Sequence, residues 1–266
     1  MMHETRWIDS DRARLAVHLH GKGPLAVLIH GYPLDHSMWL DLCQSSLAER
    51  RQLAAIDLRG HGDSPWAGDA VHAMELLADD VAAVIRTLAD DAVDVAALSM
   101  GGYVALALCE RHAALVRSLV LVDTRAGADS PAGRQGRQAA MAGVLRHGRR
   151  WLAEQMLPKL VATGADALVQ ARVQSMIEST PVETVLADLR GMMQRPDRRE
   201  LLSQLQLPVL VVVGEHDAIT PVAEAKAIAA AVTGARLLVV PGAGHMVPME
   251  APSAFANELA TFWTRR

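Results

Sequence analysis

The chain has little cysteine, few aromatics, no long apolar run and no strong excess of one charge. Each shortage excludes something. Two cysteines, Cys43 and Cys109, are too few for a disulfide framework. Both fall in segments patterned as helix, and Cys109 follows the apolar string Ala105, Leu106, Ala107, Leu108, so a buried free thiol is expected. Aromatics make up 3% of the 266 residues, which leaves Ala, Val and Leu to fill the core. A formal net charge of −4 and a pI near 6.2 give no electrostatic footprint for nucleic acid. The one local basic run, Arg146 to Arg150, includes His147 and Gly148 and reads as a solvated helix end or loop. No stretch has the length of a charge-free membrane span, and the opening residues Met1–Trp7 hold no apolar run that would serve as a signal peptide. The expectation is a soluble cytoplasmic protein, monomer or homodimer, with neither nucleic acid nor membrane as partner.

What is present is enough apolar material for a sizeable core: 51% hydrophobic against 21% charged residues, with mean hydropathy +0.15. That length fits one large domain, or a domain plus a modest insertion. Leu25–Ile29, Leu53–Ile56, Val95–Leu98 and Leu119–Val122 are short apolar runs bounded by polar residues, glycine or proline. Strands buried on both faces of a parallel sheet have this pattern. Between them, Leu77, Val81, Val84, Ile85 and Leu88 recur at helical spacing, and Tyr103 to Leu108 is apolar all round, as a helix buried against a sheet would be.

The alternation stops near Thr124. From there to about Ser203 the sequence is rich in Arg, Gln, Ala and Met, and predicts several helices broken at Gly148, Pro158, Gly164 and Pro181. Strand and helix then alternate again: Val209–Val213, a helix from about Pro221 to Val232, Leu237–Val240, and a last helix carrying Phe255, Leu259 and Phe262. The pattern predicts an α/β fold, a mostly parallel sheet flanked by helices, with a helical insertion.

Open parallel sheets place reactive loops at the carboxyl ends of their strands. Those positions hold His30-Gly31-Tyr32-Pro33, the run Asp57 to Ser64, Ser99-Met100-Gly101-Gly102, Asp123-Thr124, Gly214-Glu215-His216-Asp217 and Gly242-Ala243-Gly244-His245. Ser99, Asp217 and His245 therefore occur in the chain order of a nucleophile–acid–base triad on such a sheet. Ala97-Leu98-Ser99-Met100-Gly101 is the central signal. A strand turning sharply into a helix strains the backbone at the serine and demands very small residues two before and two after it. Ala97 departs from the usual glycine by one methyl group.

The N–H of Met100, at a helix start, and the N–H of Tyr32 are the expected oxyanion donors. Gly31 reads as a tight turn with close backbone approach, and His30 as a hydrogen bonder that organises its loop. Among eleven histidines His245 is preferred, because Gly242 and Gly244 free its loop. His61 reads as a turn stabiliser, and His216 would point away from the site. Asp123 is the rival for the acid.

Together the segments HGYPLDHSMW, DLRGHGDS, ALSMGGYVAL, GEHDAITP and GAGHMVPMEAP resemble bacterial serine esterases of the α/β-hydrolase fold. They are most similar to the small group that includes the 3-oxoadipate enol-lactonases. The resemblance implies a core of residues 1–124 and 204–266 and a helical cap, 125–203, inserted after the sixth strand. It implies acyl transfer in two steps on small or medium esters, with no metal or organic cofactor. A lactonase is the alternative, for which a cation such as Arg125 or a cap arginine should face the pocket. A cofactor-free perhydrolase and a non-catalytic binding protein come behind. Met38, Met100, Met246 and Met249 near the reactive loops, and Met141, Met156, Met176, Met192 and Met193 in the insertion, suggest an adaptable apolar acyl site unless they only pack the insertion.

Overall fold

A computed structural model describes residues 3–264. Among these, eight strands form one sheet: β1 (His3–Ser10), β2 (Ala13–Gly21), β3 (Leu25–Ile29), β4 (Gln52–Ile56), β5 (Val93–Leu98), β6 (Val116–Val122), β7 (Val209–Gly214) and β8 (Arg236–Val240). Their spatial order is β1-β2-β4-β3-β5-β6-β7-β8. From β4 through β8 every pairing is parallel; β2 runs antiparallel to both its neighbours. The six predicted apolar runs are all strands, and β3, β5 and β7 are buried along their whole length. Burying a strand on both faces removes every reason for alternation, so these segments read as continuous apolar runs.

The helices Met74–Leu88, Met100–Arg111 and Val222–Ala231 pack on the sheet, and Pro252–Thr264 packs on Val247–Glu250 and on the short helical turns between β3 and β4. Cys43 and Cys109 are buried free thiols, and burial pushes both up to about 12. Among the described residues no helix is long and apolar enough to cross a membrane.

Between β6 and β7 the chain makes the helices Pro131–Leu160, Ala167–Ser179, Val182–Gln194 and Arg199–Leu202. The sheet is not interrupted by this excursion, since β6 and β7 pair directly, Leu119 opposite Val209 and Val122 opposite Val212. Gly148, at φ 79°, kinks the first helix as expected. Pro158 does not break it, contrary to expectation. The helix runs two residues past it, to Leu160: the ring removes the backbone bond to Glu154 O, and the bond from Val161 N–H to Leu157 O closes the end. The basic run Arg146 to Arg150 straddles the Gly148 kink within this helix, and Arg149 Nη1 donates to Ser179 O at 3.0 Å.

Candidate active site

Ser99 stands between β5 and the helix Met100–Arg111 with φ 54° and ψ −113°, a conformation that non-glycine residues rarely adopt. The strain is held by the surroundings. Ser99 N–H donates to Val122 O at 2.9 Å, and its carbonyl accepts from Gly102 N–H at 2.9 Å and from Thr124 Oγ1 at 2.7 Å. Gly101 is forced by β3, because a Cβ there would lie 2.5 Å from Ile29 O and 2.7 Å from His30 O. Gly31 has the same reason on the facing loop, where a Cβ would lie 2.8 Å from the Leu98 side chain and 3.2 Å from Ser99 Cβ. Ala97 is fully buried, and its single methyl group is accommodated.

Asp217 and His245 meet although 28 positions apart: His245 Nδ1 donates to Asp217 Oδ2 at 2.8 Å, and both side chains are buried. Asp217 Oδ1 accepts from the backbone N–H groups of Ile219 at 2.8 Å and Thr220 at 2.9 Å, and Oδ2 also from Thr220 Oγ1 at 2.5 Å. Burial opposes ionisation of Asp217, but the hydrogen bonds from His245 and Thr220 prevail and hold its carboxyl below the usual range. With Nδ1 committed to Asp217, Nε2 is the nitrogen left to exchange a proton.

Asp123, the rival acid, sits beside this pair, with one oxygen within 4.8 Å of donor atoms of both. Its Oδ1 accepts from Gly214 N–H at 2.8 Å, and no bond joins it to His245. Burial, and then the charge of Asp217, push its carboxyl well above the usual range, which favours the neutral acid. A neutral carboxyl offers less to a protonated imidazole than an ionised one does.

The histidines divide as the sequence suggests, with one addition. His30 is fully buried; Nδ1 donates to Gly31 O at 2.9 Å and Nε2 accepts from Leu58 N–H at 3.1 Å, which ties the β3 and β4 loops together. His216 lies in the open, 3.8 Å from Glu215. His61 does more than stabilise a turn. It shares Asp188, on the helix Val182–Gln194, with His72, at 2.9 Å and 2.7 Å, and so fastens that helix to the core. Nothing in the sequence signals this three-way contact. In a second group, His18 and His36 bond Asp57 at 3.1 Å and 2.9 Å, His18 and Asp57 buried and His36 partly exposed. These two histidine–carboxylate groups, Asp57 with its histidines and Asp123 with Asp217 and His245, are where donor atoms approach closely enough to share an ion among the described residues. In each, the histidines already hydrogen-bond a carboxylate.

A cavity of about 450 Å³ opens over the elbow, lined by Ser99, His245 and Tyr32 from the core and by the helix Pro131–Leu160 on the far side. Met100 opens its helix with a fully buried side chain, and only its backbone faces the elbow turn. Met156 and Met192 line the cavity, whereas Met38, Met246 and Met249 pack in the core, so the methionine argument holds for two residues. Arg125 donates to Ile219 O and is not part of the lining; Arg137 and Lys159 are.

Residues 26–258 match the alpha/beta hydrolase family. A pimeloyl-(acyl-carrier protein) methyl ester esterase of Neisseria meningitidis is 34% identical over 239 residues, 86% of this chain and 89% of that one. A thermophilic esterase from Thermogutta terrifontis, solved with malate bound, superposes with a TM-score of 0.92 at 34% identity over 98% of both chains. The enol-lactonase of Burkholderia xenovorans superposes at 0.89 with 26% identity, over 98% of this chain and 100% of that one.

Proposed function

The chain belongs to the alpha/beta hydrolase family, and from that premise we propose that it is a serine carboxylesterase using Ser99, His245 and Asp217. The observation that carries the reading is the convergence of two prepared groups on one cavity. Ser99 stands on a strained elbow, and His245 has its far nitrogen already fixed by a buried carboxylate. His245 Nε2 takes the Ser99 proton as Oγ attacks the ester carbonyl, and Asp217 steadies the imidazolium. The tetrahedral oxyanion is held by the N–H groups of Met100 and Tyr32. The intermediate collapses to an acyl-enzyme as His245 protonates the leaving alkoxide. Water, deprotonated by His245, then releases the acid.

Residues 125–203 act as the cap in this reading, forming the cavity wall opposite the core loops. The esterase and methyl ester esterase relatives support cleavage of a carboxylic ester of small or medium size. Lactone opening is the second reading, favoured by two cations in the cavity lining and by the likeness to an enol-lactonase. Hydrolysis of 4-nitrophenyl acetate and butyrate by wild type and Ser99→Ala is the test. The variant should lose roughly 10⁴-fold or more in rate; full activity in the variant overturns the mechanism.

A further inference from the structure

We propose that Glu250, five positions beyond His245, is a positioning residue for the catalytic base: its carboxylate holds the His245 loop and the end of the helix Pro131–Leu160 as one body. The inference rests on the esterase reading above and gives Glu250 no contact with substrate.

The bond from Nδ1 to Asp217 fixes the orientation of the His245 ring, but the distance of that ring from Ser99 depends on the backbone that carries it. That backbone is intrinsically loose. Gly242, at φ 72°, and Gly244 precede His245, and glycine leaves the chain more freedom than any other residue. Gly244 is demanded by packing. A Cβ there would lie 2.5 Å from Ala162 N and 2.8 Å from Val161 C, in the two residues that follow the helix Pro131–Leu160. The freedom that Gly244 brings must be taken up by bonds from elsewhere.

Glu250 supplies them. Its Oε1 accepts from the N–H groups of Gly244 and Met246, both at 3.0 Å, and these are the residues on either side of His245. Its Oε2 accepts from Ala162 N–H at 2.8 Å, across 88 positions. His245 N–H completes the set by donating to Leu160 O at 3.0 Å. Three successive N–H groups of the loop are thus fixed, the outer two by one carboxylate and the middle one by the helix end. Bonds that end on a carboxylate anion are about twice as strong as neutral ones. Lys159 and Leu160, beside this clamp, line the catalytic cavity together with His245. One carboxylate therefore keeps the cavity wall and the base in register. Glu215 is the contrast: it accepts from Gly242 N–H at 3.0 Å on the same loop, but it is exposed and bonds neither neighbour of His245.

The test is steady-state hydrolysis of 4-nitrophenyl acetate, with active sites counted by the mass shift at Ser99 after exhaustive fluorophosphonate labelling. Per titrated site, Glu250→Ala should lose roughly 10- to 100-fold in kcat, the scale of a base displaced by about 1 Å, with KM within about threefold of wild type. The rate of labelling should fall in step, because it uses the same base. Glu250→Gln should lose less: its amide oxygen can stand in for Oε1, but its NH2 then faces the Ala162 N–H. Glu215→Gln should stay within about twofold of wild type. A purely structural role would reduce the number of titrated sites and leave kcat per site at the wild-type value, and that result overturns the proposal. An equal loss in Glu215→Gln overturns it too. Should Glu250→Ala not fold, Glu250→Gln decides on the same criterion. Unchanged variants of an active wild type remove the clamp alone, whereas wild type that neither cleaves the ester nor labels at Ser99 overturns the esterase reading with it.

Discussion

His30 gives the sharpest stability prediction. Its two ring nitrogens have opposite duties: Nδ1–H donates to Gly31 O and Nε2 accepts from Leu58 N–H, so only the neutral ring satisfies both. Burial, reinforced by the neighbouring His61, lowers it from 6.5 to about 4. The folded value lies below the unfolded one, so the unfolded chain binds the proton first as the solution is acidified. The stability that His30 contributes is therefore fully present above 6.5 and is lost as pH falls toward about 4. At 1.36 kcal/mol per pKa unit the whole loss is about 3 kcal/mol, and about 2 kcal/mol of it has gone by pH 5. His30→Gln keeps an acceptor near the Nε2 position and does not titrate. Urea denaturation of both proteins from pH 7.5 to 5 reads the effect as a difference in which titrations remote from His30 cancel. Wild type should lose about 2 kcal/mol more than the variant over that range. Parallel pH profiles would refute the reasoning, whatever the variant's stability at neutral pH. The loss also has a functional side, because the bond to Leu58 anchors the loop that carries Tyr32.

The two carboxyls near His245 should behave very differently. Asp217→Asn leaves the imidazole without its charged partner and favours the wrong tautomer, and should lower kcat roughly 10⁴-fold. Asp123→Asn keeps an amide oxygen for Gly214 N–H, so its kcat should stay within about tenfold of wild type, by the same steady-state assay. Gly101→Ala sets a methyl group 2.5 Å from Ile29 O, a backbone atom that cannot move alone. It should cost about 1–3 kcal/mol in chemical denaturation and lower turnover as well, because the elbow must shift. Unchanged stability there would mean that the helix and β3 part more easily than this packing implies.

Legibility followed burial and sequence separation. The parallel strands from β3 to β7 were readable because strands covered on both faces become apolar runs, and the edge strand β8 because Leu237–Val240 is apolar although half-exposed; their ends pointed to the candidate loops. The ribbon of β1 and β2 was not. His3, Glu4, Arg6 and Trp7 of β1 face solvent, and the buried His18 of β2 owes its place to Asp57, 39 positions away. A polar residue satisfied by a distant partner carries no local signal. Asp188, linking His61 and His72 across 127 and 116 positions, was hidden for the same reason. So were the ion pairs that bring Arg137 and Arg195 together on Asp129. Pro158 misled because the helix carries on two residues past it despite the one backbone bond that proline removes. Strand-end position and motif singled out Ser99, Asp217 and His245 as candidates, Asp217 ahead of Asp123; what the coordinates add is that Asp217 is the carboxyl that hydrogen-bonds His245.

Covalent capture of the nucleophile tests the central claim most directly. Intact mass after reaction with a fluorophosphonate, followed by peptide mapping, should show one adduct, on Ser99, with loss of ester hydrolysis in step with labelling. Hydrolysis that continues in fully labelled protein, or an adduct on another residue that alone abolishes activity, would contradict the account.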